Sequence, residues 1–422
     1  RFFMKKTAAL LLTCVMLFGM IAGAAAETLT VWCWDPNFNI FAMKEAEKIY
    51  QQTHPDFKLD IIETAWADVQ TKLITAASGD KSILPDIFLM QDMAFRKNVA
   101  NYPETFTDIT DKGVAFDKFS PAKVKYSVVE GKNYGVPFDS GAAIAAWRTD
   151  ILEEAGYKLE DLKDITWSRF IEIGKDVLAK TGKPMLAYSN SGNDLIMMLL
   201  QSMGVSLFDE EGNVNLNKNE GINNVIKVYK ELREAGVYVD VQNWDEYVKA
   251  IVSGGCVGTI QGCWIIGSIT GEESLKGKWG IVNQPKLDGV ETATNYSNNG
   301  GSSWAISGNC KNVDLAVDFL SKTYGESVEF YDRILEKAGA IATYLPAGES
   351  AIYAKPQEFF GGQKIYEDIV KFGSQIPEII IGVYHYEARD ALTNALQEIV
   401  GGKDVQEVLD KAQTDVEFKM GM

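Results

Sequence analysis

Residues 28–90 constrain the fold more than any other stretch, because they alternate strand and helix signals in the order β-α-β-α-β. Thr28-Leu-Thr-Val-Trp-Cys-Trp34 is a short β-rich run. Ala42, Ala46, Ile49 and Tyr50 follow at helical spacing, and Pro55 stops that helix. Phe57 to Ile62 reads as a second strand. Val69, Leu73, Ala76 and Ala77 mark a second helix ending at Gly79, and Ile87 to Met90 is a third, fully apolar strand. This order predicts a parallel sheet covered by helices on both faces. Ligands of such sheets bind at the carboxyl ends of the strands, which here are Trp34-Asp35 and Gln91-Asp92.

The chain continues in the same style. Tyr134-Gly-Val-Pro-Phe-Asp-Ser140 leads into the extended run Ala142 to Trp147, and Arg148-Thr-Asp150 follows. Trp167 to Lys180 and Ile222 to Ala235 are amphipathic helices. Val257 to Gln261 is a strand ending in Gly262-Cys-Trp264, and a Gly-rich turn at Asn298 to Ser303 runs into a strand closing at Ile306. Glu387 to Phe418 reads as two helices broken at Gly401-Gly402. No flexible tether separates two regions of α/β signal, so the chain is expected to cross between two lobes directly and more than once.

Residues 4–26 have the order of a cleavable export signal: Lys5 and Lys6, an apolar stretch from Leu10 to Ile21, then Ala24-Ala25-Ala26 before Glu27. The apolar stretch is shorter than the roughly 20 residues of a membrane-spanning helix. Cys14 follows Leu11-Leu12-Thr13 as in a lipoprotein cleavage box, but cutting there would leave a short apolar core ahead of it and keep Val15 to Ile21 on the mature chain, which favours a free protein. Export to the periplasm or beyond, without a lipid anchor, is the expectation. Removing the first 26 of 422 residues leaves 396, long enough for two domains. The leader holds three of the 41 basic residues and none of the 58 acidic ones, so the remainder carries a net charge of −20. Such a surface repels nucleic acid and anionic lipid. Cys33, Cys256, Cys263 and Cys310 show no metal-type spacing; Cys256 and Cys263 bracket an extended strand, and buried free thiols are expected.

Several chemistries lack their residues. His54 and His385 are the two histidines of the chain. There is no Gly-x-Ser-x-Gly elbow, no His-Glu-x-x-His and no phosphate-binding Gly-rich loop. Glycosidase chemistry needs two carboxylates and no short motif, so the sequence leaves it open.

The ordered set Leu29-Thr-Val-Trp-Cys-Trp34, Pro85-Asp-Ile-Phe88, Tyr134-Gly-Val-Pro-Phe-Asp-Ser140, Arg148 to Gly156, Gly258 to Trp264, Gly300-Gly-Ser-Ser-Trp-Ala-Ile306 and Val405 to Gln413 resembles the extracellular solute-binding proteins of carbohydrate ABC importers, the maltose-binding-protein-like family. The resemblance covers essentially all of residues 27–418. It implies an α/β, two-lobed periplasmic-binding-protein fold of type II. Each lobe would be a mainly parallel sheet flanked by helices, with the ligand cleft between the lobes. One lobe would comprise 27–138 with about 294–340, the other 139–293 with about 341–422. It further implies a monomer that closes on a sugar and docks on permease subunits driven by a cytoplasmic ATPase, with no catalytic residue, cofactor or metal. A binding protein for another solute, such as a polyamine, and a secreted carbohydrate-active enzyme are the alternatives.

A pyranose presents apolar C–H faces and a rim of hydroxyls, so its site needs flat aromatics plus planar polar side chains. The strand ends supply these types: Trp34, Asp35, Gln91, Asp92, Asp139, Ser140, Gln261 and Trp264. Asn298, Gly300 and Gly301 offer side-chain and close backbone contacts, and Asn190 and Asn193 offer contacts from the second lobe. The resemblance makes Trp264 the stacking platform and brings Tyr384 and Tyr386 to the site ahead of a C-terminal helix.

Overall fold

The computed structural model describes residues 27–189 and 192–422, so the leader lies outside the described residues. In the first lobe, β1 (Thr28–Cys33), β2 (Lys58–Glu63) and β3 (Ile87–Gln91) alternate with helices Asn39–Tyr50 and Trp66–Ser78. A short hairpin, β4 (Val128–Val129) and β5 (Lys132–Asn133), precedes β6 (Val136–Asp139). In the second lobe lie β7 (Ala143–Arg148), β8 (Leu186–Tyr188), β9 (Tyr238–Asp240), β10 (Gly258–Gly262) and β11 (Trp279–Val282). The chain then returns to the first sheet through β12 (Ser302–Ile306). The strand orders are β2-β1-β3-β12-β6 and β11-β7-β10-β8-β9.

Each sheet is mainly parallel, as expected, with one antiparallel strand set into it. β1 runs parallel to β2 and β3, as helical crossovers require. β12 is antiparallel to both β3 and β6, and β7 is antiparallel to both β10 and β11. The physical reason is the route. A strand that enters from the other lobe arrives at the end of the sheet opposite to one delivered by a helix.

The alternation of side chains shows why the first sheet needs helices on both faces. Leu29, Val31, Cys33, Ile87, Leu89, Trp304 and Ile306 point into one core, which is shared with helices Asn39–Tyr50, Val313–Tyr324 and Val328–Ala338. Trp32, Phe88, Met90 and Ala305 point into a second core under helix Trp66–Ser78. The second sheet packs into a larger core that also takes Ala388, Leu392, Leu396 and Val416 from helices His385–Val400 and Val405–Met420. Cys33, Cys256 and Cys263 are buried free thiols and Cys310 is a half-buried one.

Among the described residues the chain passes between the lobes three times, and the three passages pair with one another. Ala142 bridges Asn298, and Asp139 bridges Ala342. Ala143 N donates to Ser297 O at 2.8 Å and Asn299 N to Gly141 O at 2.7 Å. The pairing leaves no room at Gly141, where a Cβ would sit 2.5 Å from Asn299 O and 2.6 Å from Gly300 C. Those are backbone atoms that cannot swing aside. Gly141→Ala is therefore expected to lower unfolding stability by about 1–3 kcal/mol in urea denaturation; a change within about 0.5 kcal/mol would mean the crossings are not held this tightly.

Candidate functional site

The crossings are fastened to the first sheet by a buried ionic network. Lys123, on the short helix Pro121–Lys125, donates its ammonium to Asp92 Oδ2 and to Ser302 O, both at 2.5 Å. Asp92 Oδ1 accepts from the Ser303 hydroxyl at 3.1 Å, and Asp139 Oδ1 accepts from Ser302 N at 2.9 Å and from its hydroxyl at 2.5 Å. Asp92 N donates to Gly301 O. Asp92 and Asp139 are only 3% and 2% exposed. The structure thus spends both carboxylates on the hinge; they are not a free polar rim, because burial demands that their charge be met by protein donors. Gly300 and Gly301 have φ of 93° and 98°, a left-handed turn for which glycine is suited, and a Cβ at Gly301 would lie 2.5 Å from Asp92 Oδ2.

Beside this turn lies an aromatic wall. Trp264 is half-buried, packs against the cores of both lobes, and donates its indole N–H to Asn299 O at 2.8 Å. Trp244, at the start of helix Trp244–Ser253, lies with its ring centroid 5.6 Å from that of Trp264 and is 39% exposed. In the first lobe, half-buried Trp34 meets Trp66 at 5.6 Å, where β1 and β2 end. Gln261 is fully buried: its amide donates to Asp194 Oδ2 at 2.9 Å, and its carbonyl accepts from Gly262 N and from the Asn299 amide.

The other residues singled out in the sequence fall as follows. Asp35 closes its own turn, its Oδ1 accepting from Asn37 N at 2.8 Å and Phe38 N at 3.1 Å. Asn298 folds back onto Gly300 O at 2.9 Å. Ser140 is half-buried, and its carbonyl accepts from the Cys263 thiol at 3.3 Å. Asn193 is the half-buried first residue of helix Asn193–Ser202, whereas Asn190 lies outside the described residues. Gln91 and Tyr386 engage each other, Tyr386 donating its hydroxyl to Gln91 Oε1, and Tyr384 lies 5.5 Å beneath the Lys97 ammonium. Sequence reasoning missed Lys123, Trp66, Trp244 and Asn299. Trp66 opens the helix that follows the second strand, three residues after Glu63, and was findable by the strand-end argument. Trp244 follows Asn243, whose side chain accepts from Glu246 N at 3.0 Å as a helix cap, so its place at a helix start was also legible.

The electrostatics agree with a hinge built around one cation. Burial pushes the Asp92 carboxyl up to about 6 against the opposing pull of Lys123, and burial likewise raises Asp139. Burial, then Asp92 and Glu378, push Tyr126 up to about 12. His385 is buried and pushed down to about 3 by desolvation and by Arg389, so it is neutral at physiological pH. Among the described residues no group of three or more His, Cys, Asp or Glu side chains is arranged to hold a metal ion.

Two five-stranded α/β lobes, paired crossings between them, and aromatic side chains gathered where strands and crossings meet define a two-lobed solute-binding protein. The family described as bacterial extracellular solute-binding protein matches residues 45–334, and the chain belongs to it. Over 407 residues, 96% of each chain, it is 38% identical to the lactose-binding protein of Rhizobium radiobacter. Its fold is shared with the ABC transporter associated binding protein from B. animalis subsp. lactis, solved in complex with beta-1,6-galactobiose (TM-score 0.77, 21% identity, 93% of this chain and 97% of that one). It is shared also with the galacto-N-biose/lacto-N-biose I-binding protein of Bifidobacterium longum (TM-score 0.76, 19% identity, 94% and 98% covered).

Removing Lys123 leaves buried carboxylates without their cation. Lys123→Met is expected to cost about 3–5 kcal/mol at pH 7.5 by chemical denaturation. The sign with pH follows from Asp92. Its folded pKa of about 6 lies above the ordinary carboxylate value, so the folded protein keeps a proton that the unfolded chain releases between about pH 4 and 6. Stability from this group falls as pH rises through that window. The Lys123→Met penalty should therefore shrink at pH 5, and a pH-independent penalty would contradict the network.

Proposed function

We propose that this protein captures a neutral, galactose-containing disaccharide or short oligosaccharide between its lobes outside the cytoplasm and delivers it to the permease of an ABC importer. The observation that carries the reading is Trp264, which is anchored to the Asn299 carbonyl of a crossing and packs against both lobes. A sugar stacked there touches both lobes, and contacts made only in the closed arrangement are what drive closure. Trp244 extends that platform, and Trp34 with Trp66 forms a second aromatic pair at strand ends of the first lobe. The lactose-binding relative supports the galactose-containing class.

The protein acts as a monomer without turning its ligand over, and it relies on a cytoplasmic ATPase that drives the permease. Its lobes are 27–138 with about 294–340, and 139–293 with about 341–422. Gly300 and Gly301 supply close backbone approach at the cleft, and Asn193 and Asn298 supply polar contacts from its rim. A polyamine would call on free carboxylates, and Asp92 and Asp139 are already spent on Lys123 and Ser302.

A thermal-shift screen of disaccharides, polyamines and metal ions identifies the class, because a ligand specific to the folded state raises the melting temperature. Trp264→Ala is expected to weaken sugar binding at least about tenfold by calorimetry, a loss of about 1.4 kcal/mol, with the fold intact by circular dichroism. Unchanged affinity would remove Trp264 from the site, and a shift with polyamines alone would overturn the sugar reading.

A further inference from the structure

We propose that a direct protein-to-protein latch, between Gln91 with helix Phe95–Asn101 of the first lobe and residues 381–387 of the second, biases the lobes toward closure and so sets ligand affinity without touching the ligand. The affinity part rests on the function proposed above; the conformational part stands without it.

Four contacts make up the latch. The Lys97 ammonium pairs with Glu387 Oε1 and also lies 5.5 Å over the Tyr384 ring. Arg96 donates to Ile381 O at 3.1 Å, and Tyr386 donates to Gln91 Oε1. The two sides are anchored in different cores. On one side, Phe95 and Val99 bury their side chains in the core beneath β3. On the other, Ala388 and Leu392 are buried in the second lobe's core, Ile380 N donates to the Ser206 hydroxyl at 2.7 Å, and Gln201 donates to Pro377 O at 3.3 Å. Arg389 stacks 4.6 Å over the Tyr386 ring and is itself paired with Asp390, which fixes the tyrosine toward Gln91.

Opening the cleft by moving one lobe from the other must break these contacts together. The Lys97 and Glu387 side chains are 29% and 19% exposed, so their attraction is screened less than that of a pair standing in water. Each latch contact multiplies the closed-to-open ratio by a fixed factor, and a ligand that needs the closed state gains apparent affinity by that factor. Gln91, Tyr384 and Tyr386, which the sequence marks as ligand contacts, are then closure residues.

A charge swap tests the latch. Lys97→Glu, Glu387→Lys and the double variant are compared for interlobe distance with paired spin labels in the absence of sugar, and for sugar affinity by calorimetry. Each single variant should shift the distance distribution toward open and weaken binding about tenfold. The double variant restores an opposite-charge pair of the same combined length, and it should recover the parent distances and come within about twofold of the parent affinity. Single variants with the parent's distance distribution would overturn the latch. So would a double variant that restores neither distance nor affinity, which would make Lys97 or Glu387 a ligand contact. A parent protein that binds no sugar would overturn the functional reading, while the sugar-free distances would still judge the latch.

Discussion

Lys123 sits at the point where the first sheet, the hinge and the cleft meet, and its ammonium satisfies Asp92 Oδ2 and the Ser302 carbonyl at once. Without that charge, the carboxyl ends of β3 and β6 would bring the buried Asp92 and Asp139 together with no cation to offset them. With it, the crossing at 297–302 is fixed to the first lobe, and the turn at Gly300 and Gly301 is held open for its neighbours. The rest of the site hangs from that crossing. Asn299 gives its carbonyl to Trp264 and its amide to Gln261, and Gln261 reaches Asp194 at the start of a second-lobe helix. One chain of contacts therefore runs from Lys123 through the crossing to the aromatic wall.

This arrangement suits a protein whose work is movement between two states. The crossings pair with each other through a few backbone hydrogen bonds, so they bend as a unit while each lobe keeps its own core. The tight fit at Gly141 limits how the crossings twist. Rigid polar fastening at the hinge and large aromatic surfaces at the cleft divide the labour: the first sets the axis of motion, and the second supplies the contacts that a closed ligand rewards.

The fold was legible where period and punctuation agree. Helix Trp167–Thr181 begins and ends within a residue of its sequence reading, because Thr166 caps Arg169 N and Gly182 follows its last turn. The alternation of Val31, Trp32 and Cys33 between two cores is visible in the run from Thr28 to Trp34. Strand direction was less legible, since whether β12 runs parallel to β3 depends on which lobe the chain is returning from, and no local pattern records that. At the site, aromatic residues could be read from strand ends, but the fate of the acids could not. Asp92 and Asp139 carry the same sequence signature as free ligand-binding carboxylates. Only the arrival of Lys123 and Ser302 from distant parts of the chain decides that they belong to the hinge.

The central claim is capture of an unaltered neutral sugar in the cleft. The most direct measurement is calorimetric titration of the protein with neutral disaccharides, followed by chromatography of the recovered sugar. Saturable binding at one site per chain is expected, with the sugar returned intact. Turnover of the sugar at a catalytic rate, or no binding by any neutral sugar alongside tight binding of another solute, would contradict it.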